Sequence, residues 1–255
     1  MPINFTAIFQ DSWNFMHNQR QFTLFFAFVF FAAMGIVSWL TPNIADVIPA
    51  NAENLTDKEL AKNLLNHIMS NNLFIYYLIN QTVILFIANW GILHIHHISQ
   101  RQNTSLLQSA VGTAAKFLGI IGILLISMLP LLLGLNIAET SLSAQKSPPI
   151  TALVLLIIGL YVYIRLNLAV ITYLIGERGF AYSLKYMWLL ANNRMGSLSF
   201  FAIIVGFLLP IINKQIASFA DNFVTAAIAL VIIALINVFS MVLTYRFYSV
   251  FTQKA

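Results

Sequence analysis

Six long apolar runs, all but one of them free of charge, determine what this chain can become. They cover residues 22–40, 73–93, 117–135, 150–175, 198–212 and 223–243. Each comes close to the roughly 20 residues that cross a bilayer core as a helix. The fifth reaches about residue 216 if Lys214 snorkels outward. In hydrocarbon every backbone N–H and C=O must be satisfied internally, so such runs are predicted to be helices. The expected fold is all-α: a polytopic membrane protein of six transmembrane helices in a single domain, 1–255.

Composition agrees and narrows the function classes. Charged residues make up 8% of the chain, where a soluble domain carries about 25%. The longest interval between runs, 41–72, leaves no room for a separate soluble domain. Cysteine is absent, which removes disulfides, thiolate zinc sites and thiol catalysis. Ala50-Asn51-Ala52 has the small-x-small form of a signal-peptidase site. The run before it is too long and its flank too amphipathic for a signal core, so the first span is expected to remain.

The net charge of +5 is a topology signal and not a nucleic-acid footprint. With the N-terminus inside, the inner segments hold Arg20, Arg101, Lys116, Arg178, Lys185, Arg194, Arg246 and Lys254. The outer ones hold Lys58, Lys62, Lys146 and Lys214. Eight cations against four in short loops predict both termini in the cytoplasm.

Each inner segment before an odd-numbered span is predicted to form an interfacial amphipathic helix. The first groups Phe5, Ile8, Phe9, Trp13, Phe15 and Met16 on one side. The second, 104–116, groups Leu107, Ala110, Val111 and Ala114, with Thr104 as its N-cap. The third, 180–194, groups Leu184, Met187, Trp188 and Ala191. Aligning Phe5 with Phe180, Phe9 with Leu184, Trp13 with Trp188 and Asn18 with Asn193, and laying Val111 of the second segment on Trp13, suggests a three-fold internal repeat. Thr56 and Glu59 form a capping box for a short outer helix, and Asn71-Asn72 a break before span two. Pro148-Pro149 starts span four, and Pro130 and Pro210 are expected to kink spans three and five.

Arg165 is the one charge inside a span, about eleven residues beyond the inner border, or about 16 Å along a helix. Such a residue is a candidate functional site and calls for partners. With no intramembrane carboxylate, the partners available are Asn80, Gln81, Asn89, Asn167, Asn237 and helix-end carbonyls. Arg165, Asn80, Asn89 and Asn237 therefore make up the candidate intramembrane polar site. Arg165 reads either as an anion site or as a packing residue that binds carbonyls. Arg178, Lys185 and Arg194 are candidate contacts for anionic headgroups. His94 and His97 share a helix face at metal-ligand spacing. A third ligand would have to come from His17, Asp11 or Glu177, and the imidazoles also suit the headgroup level, so no metal is assigned. No cofactor, nucleotide loop or hydrolase motif is present, and no enzymatic activity is expected.

Two stretches carry a family likeness. Ile8-Phe9-Gln10-Asp11-Ser12-Trp13-Asn14-Phe15 with Asn18, and Arg165 through Ala169, Glu177-Arg178-Gly179-Phe180-Ala181, Trp188 and Asn193, resemble the YciC-type inner-membrane proteins of gammaproteobacteria. The second stretch is also similar to the membrane domain fused to some glycerophosphodiester phosphodiesterases. The resemblance implies a bacterial inner-membrane location and a family without an assigned activity, so no catalytic residue is carried over. The three histidines and the long outer loop depart from it. The functional expectation is a protein that organises lipid or membrane partners; the alternative is a small-solute or lipid transporter with Arg165 in a central cavity.

Overall fold

In a computed structural model, the structure describes residues 3–40, 73–144, 146–220 and 222–253. These residues form helices joined by short turns, with no strand among them. The order is α1 (Phe5–Asn18), α2 (Arg20–Leu40), α3 (Leu73–Ser99), α4 (Leu106–Ser143), α5 (Ile150–Leu166), α6 (Ala169–Ile175), α7 (Phe180–Leu190), α8 (Met195–Ile203), α9 (Leu209–Ala217) and α10 (Phe223–Gln253). A 3₁₀ turn, Ala191–Asn193, precedes α8, and a π-helical turn, Ile204–Leu208, joins α8 to α9. Six stretches are long and apolar enough to span a membrane, as the runs predict. The capping box at Thr56, the Asn71-Asn72 break and the Ala50-Asn51-Ala52 site lie outside the described residues.

Two helix groups build the bundle. Helices α2, α3 and α10 pack on one another, and α4 pairs with α5 as a long hairpin. The first group has an aromatic core: Phe26 lies within 5.1 Å of Trp90 and 4.7 Å of Phe22, centre to centre. Phe201 and Phe247 stack in parallel at 4.2 Å. The hairpin is built differently, by glycine. A Cβ on Gly159 would sit 2.3 Å from the backbone nitrogen of Leu131, and one on Gly134 2.8 Å from that of Leu156. The missing side chains let the two backbones touch, the small-residue mode of membrane helix packing.

Outside this core the spans present bare apolar surface. Leu118 is 85% exposed and Phe223 88%. Patches of that extent are unsustainable in water and expected against lipid.

The amphipathic segments divide. Helix α1 is a separate element, N-capped by Asn4, whose side chain accepts from Ala7 N at 3.2 Å. It buries Ile8, Ser12 and Phe15 and packs across the distal part of α10, with Phe5 against Phe247 and Phe9 near Phe239. Helix α7 is separate as well, burying Ser183 and Met187. The predicted second interfacial helix is not. Residues 104–116 lead without interruption into span three, making α4 a helix of 38 residues, about 57 Å long at 1.5 Å per residue.

The reason for the difference is local. The chain breaks at Gln19 and again after the 3₁₀ turn Ala191–Asn193, beside asparagines, which are poor helix formers. With Val111 laid on Trp13, the counterpart is Ala115-Lys116-Phe117, which has no asparagine and opens with two strong helix formers. The break that would define a repeat unit thus occurs twice and not three times. The N-cap of α4 is Ser105 and not Thr104, in a reciprocal capping box with Gln108.

The prolines also differ from each other. Pro210 follows the π-helical turn: it lacks the N–H that would bond the Gly206 carbonyl, and the ladder widens there. Pro130 lies inside α4 with no interruption of the helix. Span four, expected as one helix, is interrupted at Asn167-Leu168. There Asn167 N reaches back to Ile164 O at 3.4 Å, a tightened last turn.

Candidate functional site

Arg165 is 7% exposed and is enclosed by α5 and the far end of α7. Its Nε donates to the Trp188 carbonyl at 2.9 Å, and one terminal nitrogen donates to Asn192 Oδ1 at 3.0 Å. The other terminal nitrogen donates to the Tyr161 hydroxyl, one turn back on α5. The guanidinium also lies 4.2 Å from the Trp188 ring centre and 5.4 Å from that of Tyr161. A last-turn carbonyl carries partial negative charge, and two ring faces add cation–π attraction. Among the described residues the charge is therefore held without a carboxylate.

The remaining members of the predicted polar site do not join Arg165. Asn89, on α3, is 3% exposed and donates to its own helix at Leu85 O, 2.8 Å away. Asn237 accepts from Asn213 Nδ2 at 3.3 Å and approaches Met34 Sδ at 3.8 Å, tying α9, α10 and α2 together. Asn80 is half-buried on α3, about two and a half turns from Asn89.

Asn89 and Asn237 instead share a cavity of about 240 Å³ with Asn167, Ser240 and Thr244. Neither Arg165 nor Asn80 lines it. Arg165 and Asn167 are two residues apart, a spacing that places side chains on different helix faces. The end of span four thus points its charge towards α7 and its amide into the cavity.

The candidate headgroup cations and Lys116 fall into two groups. Arg178 and Lys185 are exposed on and beside α7, and Arg178 stacks on Tyr182 at 4.5 Å. Arg194 is half-buried and donates to Phe251 O at 2.7 Å, near the C-terminus of α10. Lys116 donates to the carbonyls of Leu174 at 2.9 Å, Gly176 at 2.8 Å and Tyr173 at 3.3 Å, closing the end of α6. Arg194 and Lys116 are thus cations on helix ends, where the dipole favours them.

The histidines converge on hydroxyls. His94 Nδ1 and His97 Nδ1 lie 3.0 and 3.1 Å from one atom, Ser109 Oγ, and His96 Nδ1 lies 3.2 Å from Tyr245 Oη. Among the described residues, no three His, Cys, Asp or Glu side chains gather as metal ligands. His17, Asp11 and Glu177 do not complete such a set.

Several of these partners escaped sequence reasoning. Tyr161 was visible as the i−4 neighbour of Arg165 on a helix. Asn192 and Ser109 had no signal short of the fold because each pairs across helices, and Ser240 because it joins the polar group only by lining the cavity.

The helices and the bare apolar surface define a multi-pass α-helical integral membrane protein. An uncharacterised protein of Haemophilus influenzae is 35% identical to it over 253 residues, covering 99% of this chain and 100% of that one. The chain belongs to the same uncharacterised bacterial family. No family model matches it, and no solved structure does.

Proposed function

We propose that this protein sits in the bacterial inner membrane with both termini cytoplasmic and gathers anionic lipid at its cytoplasmic face, carrying out no reaction of its own. The observation that carries this reading is the exposure of Arg178 and Lys185 on one short segment. Among the described residues neither is paired with a carboxylate. Basic residues near an anionic leaflet contribute about 1 kcal/mol each. The Arg178 guanidinium lies 4.5 Å from the Tyr182 ring centre, and an interfacial tyrosine of this kind suits the headgroup level. Arg194 contributes less, because its guanidinium is engaged at the end of α10.

The orientation rests on the excess of Lys and Arg in the segments assigned inside. Contacts between those segments support their sharing one end of the bundle: Phe5 with Phe200 and Phe247, Arg194 with Phe251, His96 with Tyr245. The same reading assigns the chain to the YciC-type proteins. It does so on the Ile8–Phe15 stretch and on the order of Arg165, Gly179 and Trp188, an order it would share with the phosphodiesterase-fused membrane domains.

The test is lipid carried through purification. Arg178→Gln with Lys185→Gln should lower the phosphatidylglycerol and cardiolipin bound per protein by several-fold in native mass spectrometry. Phosphatidylethanolamine should stay unchanged. Equal anionic lipid on both proteins contradicts the reading.

A further inference from the structure

We propose that the cavity between α2, α3, the interrupted span four, the π-helical turn and α10 binds an uncharged glycerolipid with a free hydroxyl, of the diacylglycerol type. No ionisable side chain lines it, so a charged ligand would find no counter-charge in a medium where an unpaired charge is costly. This site is distinct from the inner-face cations.

The hydrogen-bonding groups select the ligand further. The bond from Asn89 Nδ2 to the Leu85 carbonyl fixes the orientation of that amide. Its Oδ1 is left as an acceptor with no donor among the described residues. Thr244 Oγ1 gives its proton to the Ser240 carbonyl at 2.6 Å, so it too can only accept. Ser240 Oγ makes no hydrogen bond of its own among the described residues. Asn167 and Asn237 add amide N–H groups to the same wall, so the cavity holds donors as well as acceptors, and a ligand that both gives and takes leaves the fewest of them unpaired. Quinones and fully esterified glycerides offer acceptors alone, whereas a glycerol hydroxyl gives and takes.

The backbone points to the same place. Asn167 sits at the break in span four, and Val205 lies in the π-helical turn. Irregular backbone at membrane depth is tolerated where it lines a cavity or is buried in protein, and π-turns recur at functional sites. The remaining wall, including Phe30, Ile84, Ile92 and Met241, is apolar. A volume of about 240 Å³ is below that of drug-sized pockets. It suits the glycerol head and the first carbons of a chain, with the rest in the bilayer.

The experiment uses the full chain in phosphatidylcholine nanodiscs with a diacylglycerol that carries a diazirine close to the glycerol. Cross-links read by mass spectrometry should fall on 84–92, 167–171 and 240–244. Unlabelled dioctanoylglycerol should displace them, and its acetylated triester should not. Ser240→Ala, a small change that preserves packing, should weaken labelling about three- to ten-fold, the loss of one neutral hydrogen bond. Asn89→Leu should lower it at least as much if the variant's thermal stability is retained. Labelling spread over lipid-facing residues such as Leu118 and Phe223, equal competition by the triester, or no effect of Ser240→Ala would each overturn the proposal. The last is also what a cavity filled by water alone would give.

Discussion

The guanidinium of Arg165 lies 4.2 Å from the Trp188 ring centre while its Nε donates to the Trp188 carbonyl at 2.9 Å. One residue thus supplies both a π face and a helix-end carbonyl to the same buried cation. This joins α7, which could otherwise float at the interface, to span four. Hydrogen bonds to charged groups contribute about 1.5–3 kcal/mol each, and a buried partner left unpaired costs more than the bond is worth.

Arg165→Leu should therefore lower thermal stability in detergent by the equivalent of about 3 kcal/mol or more. Arg165→Lys should restore less than half of the loss, because an ammonium cannot reproduce the planar fork that reaches Trp188, Asn192 and Tyr161 together. Thermal melts of both variants check this. A lysine variant as stable as the parent would show that charge alone is required.

Lys116 should matter in a similar way for the end of α6. Lys116→Met leaves the carbonyls of Tyr173, Leu174 and Gly176 without their donor. Amide exchange in residues 176–180 should rise several-fold, and global stability should fall by about 2 kcal/mol. Exchange confined to the parent rate would mean that water replaces the ammonium without cost.

The α4–α5 hairpin should tolerate no side chain at its crossing. Gly159→Leu places a branched chain where a Cβ already meets backbone at 2.3 Å. A loss above about 2 kcal/mol is expected, as in overpacked cores. Gly35→Ala is the control: nothing lies within 4 Å of a Cβ there, so its stability should be unchanged or slightly higher.

Ser109 accepts from two imidazoles only if both carry their proton on Nδ1, with its own proton going to Ser105 O at 3.3 Å. Ser109→Ala should shift the His94 and His97 ring resonances together and destabilise by about 1–2 kcal/mol. Movement of one ring alone would show that the serine serves a single histidine.

Span number and approximate limits were legible because hydrocarbon demands long apolar helices whatever they pack against. Interruptions were less so. The Gln19 break and the Ala191–Asn193 turn fall beside asparagines, and the lack of one at Ala115-Lys116-Phe117 goes with α4 running through. Arg165 could be picked out as the lone intramembrane charge, and helix-end carbonyls could be foreseen as partners. Which carbonyl depends on how α7 folds back, and the meeting of Asn89 and Asn237 with Asn167 depends on how α3, α10 and the end of span four pack. That is a tertiary choice with no local signature. Pro130 and Pro210 are the same residue with different outcomes, since each helix accommodates the lost N–H in its own surroundings.

The wild-type chain has no cysteine, so single cysteines report sidedness against a silent background. Placed at Asn103, Gly179 and Gln253, they should all react with a membrane-impermeant maleimide from the cytoplasmic side, and one at Lys146 should react from the other. Labelling of Asn103 and Lys146 from a common side would refute the six-span arrangement.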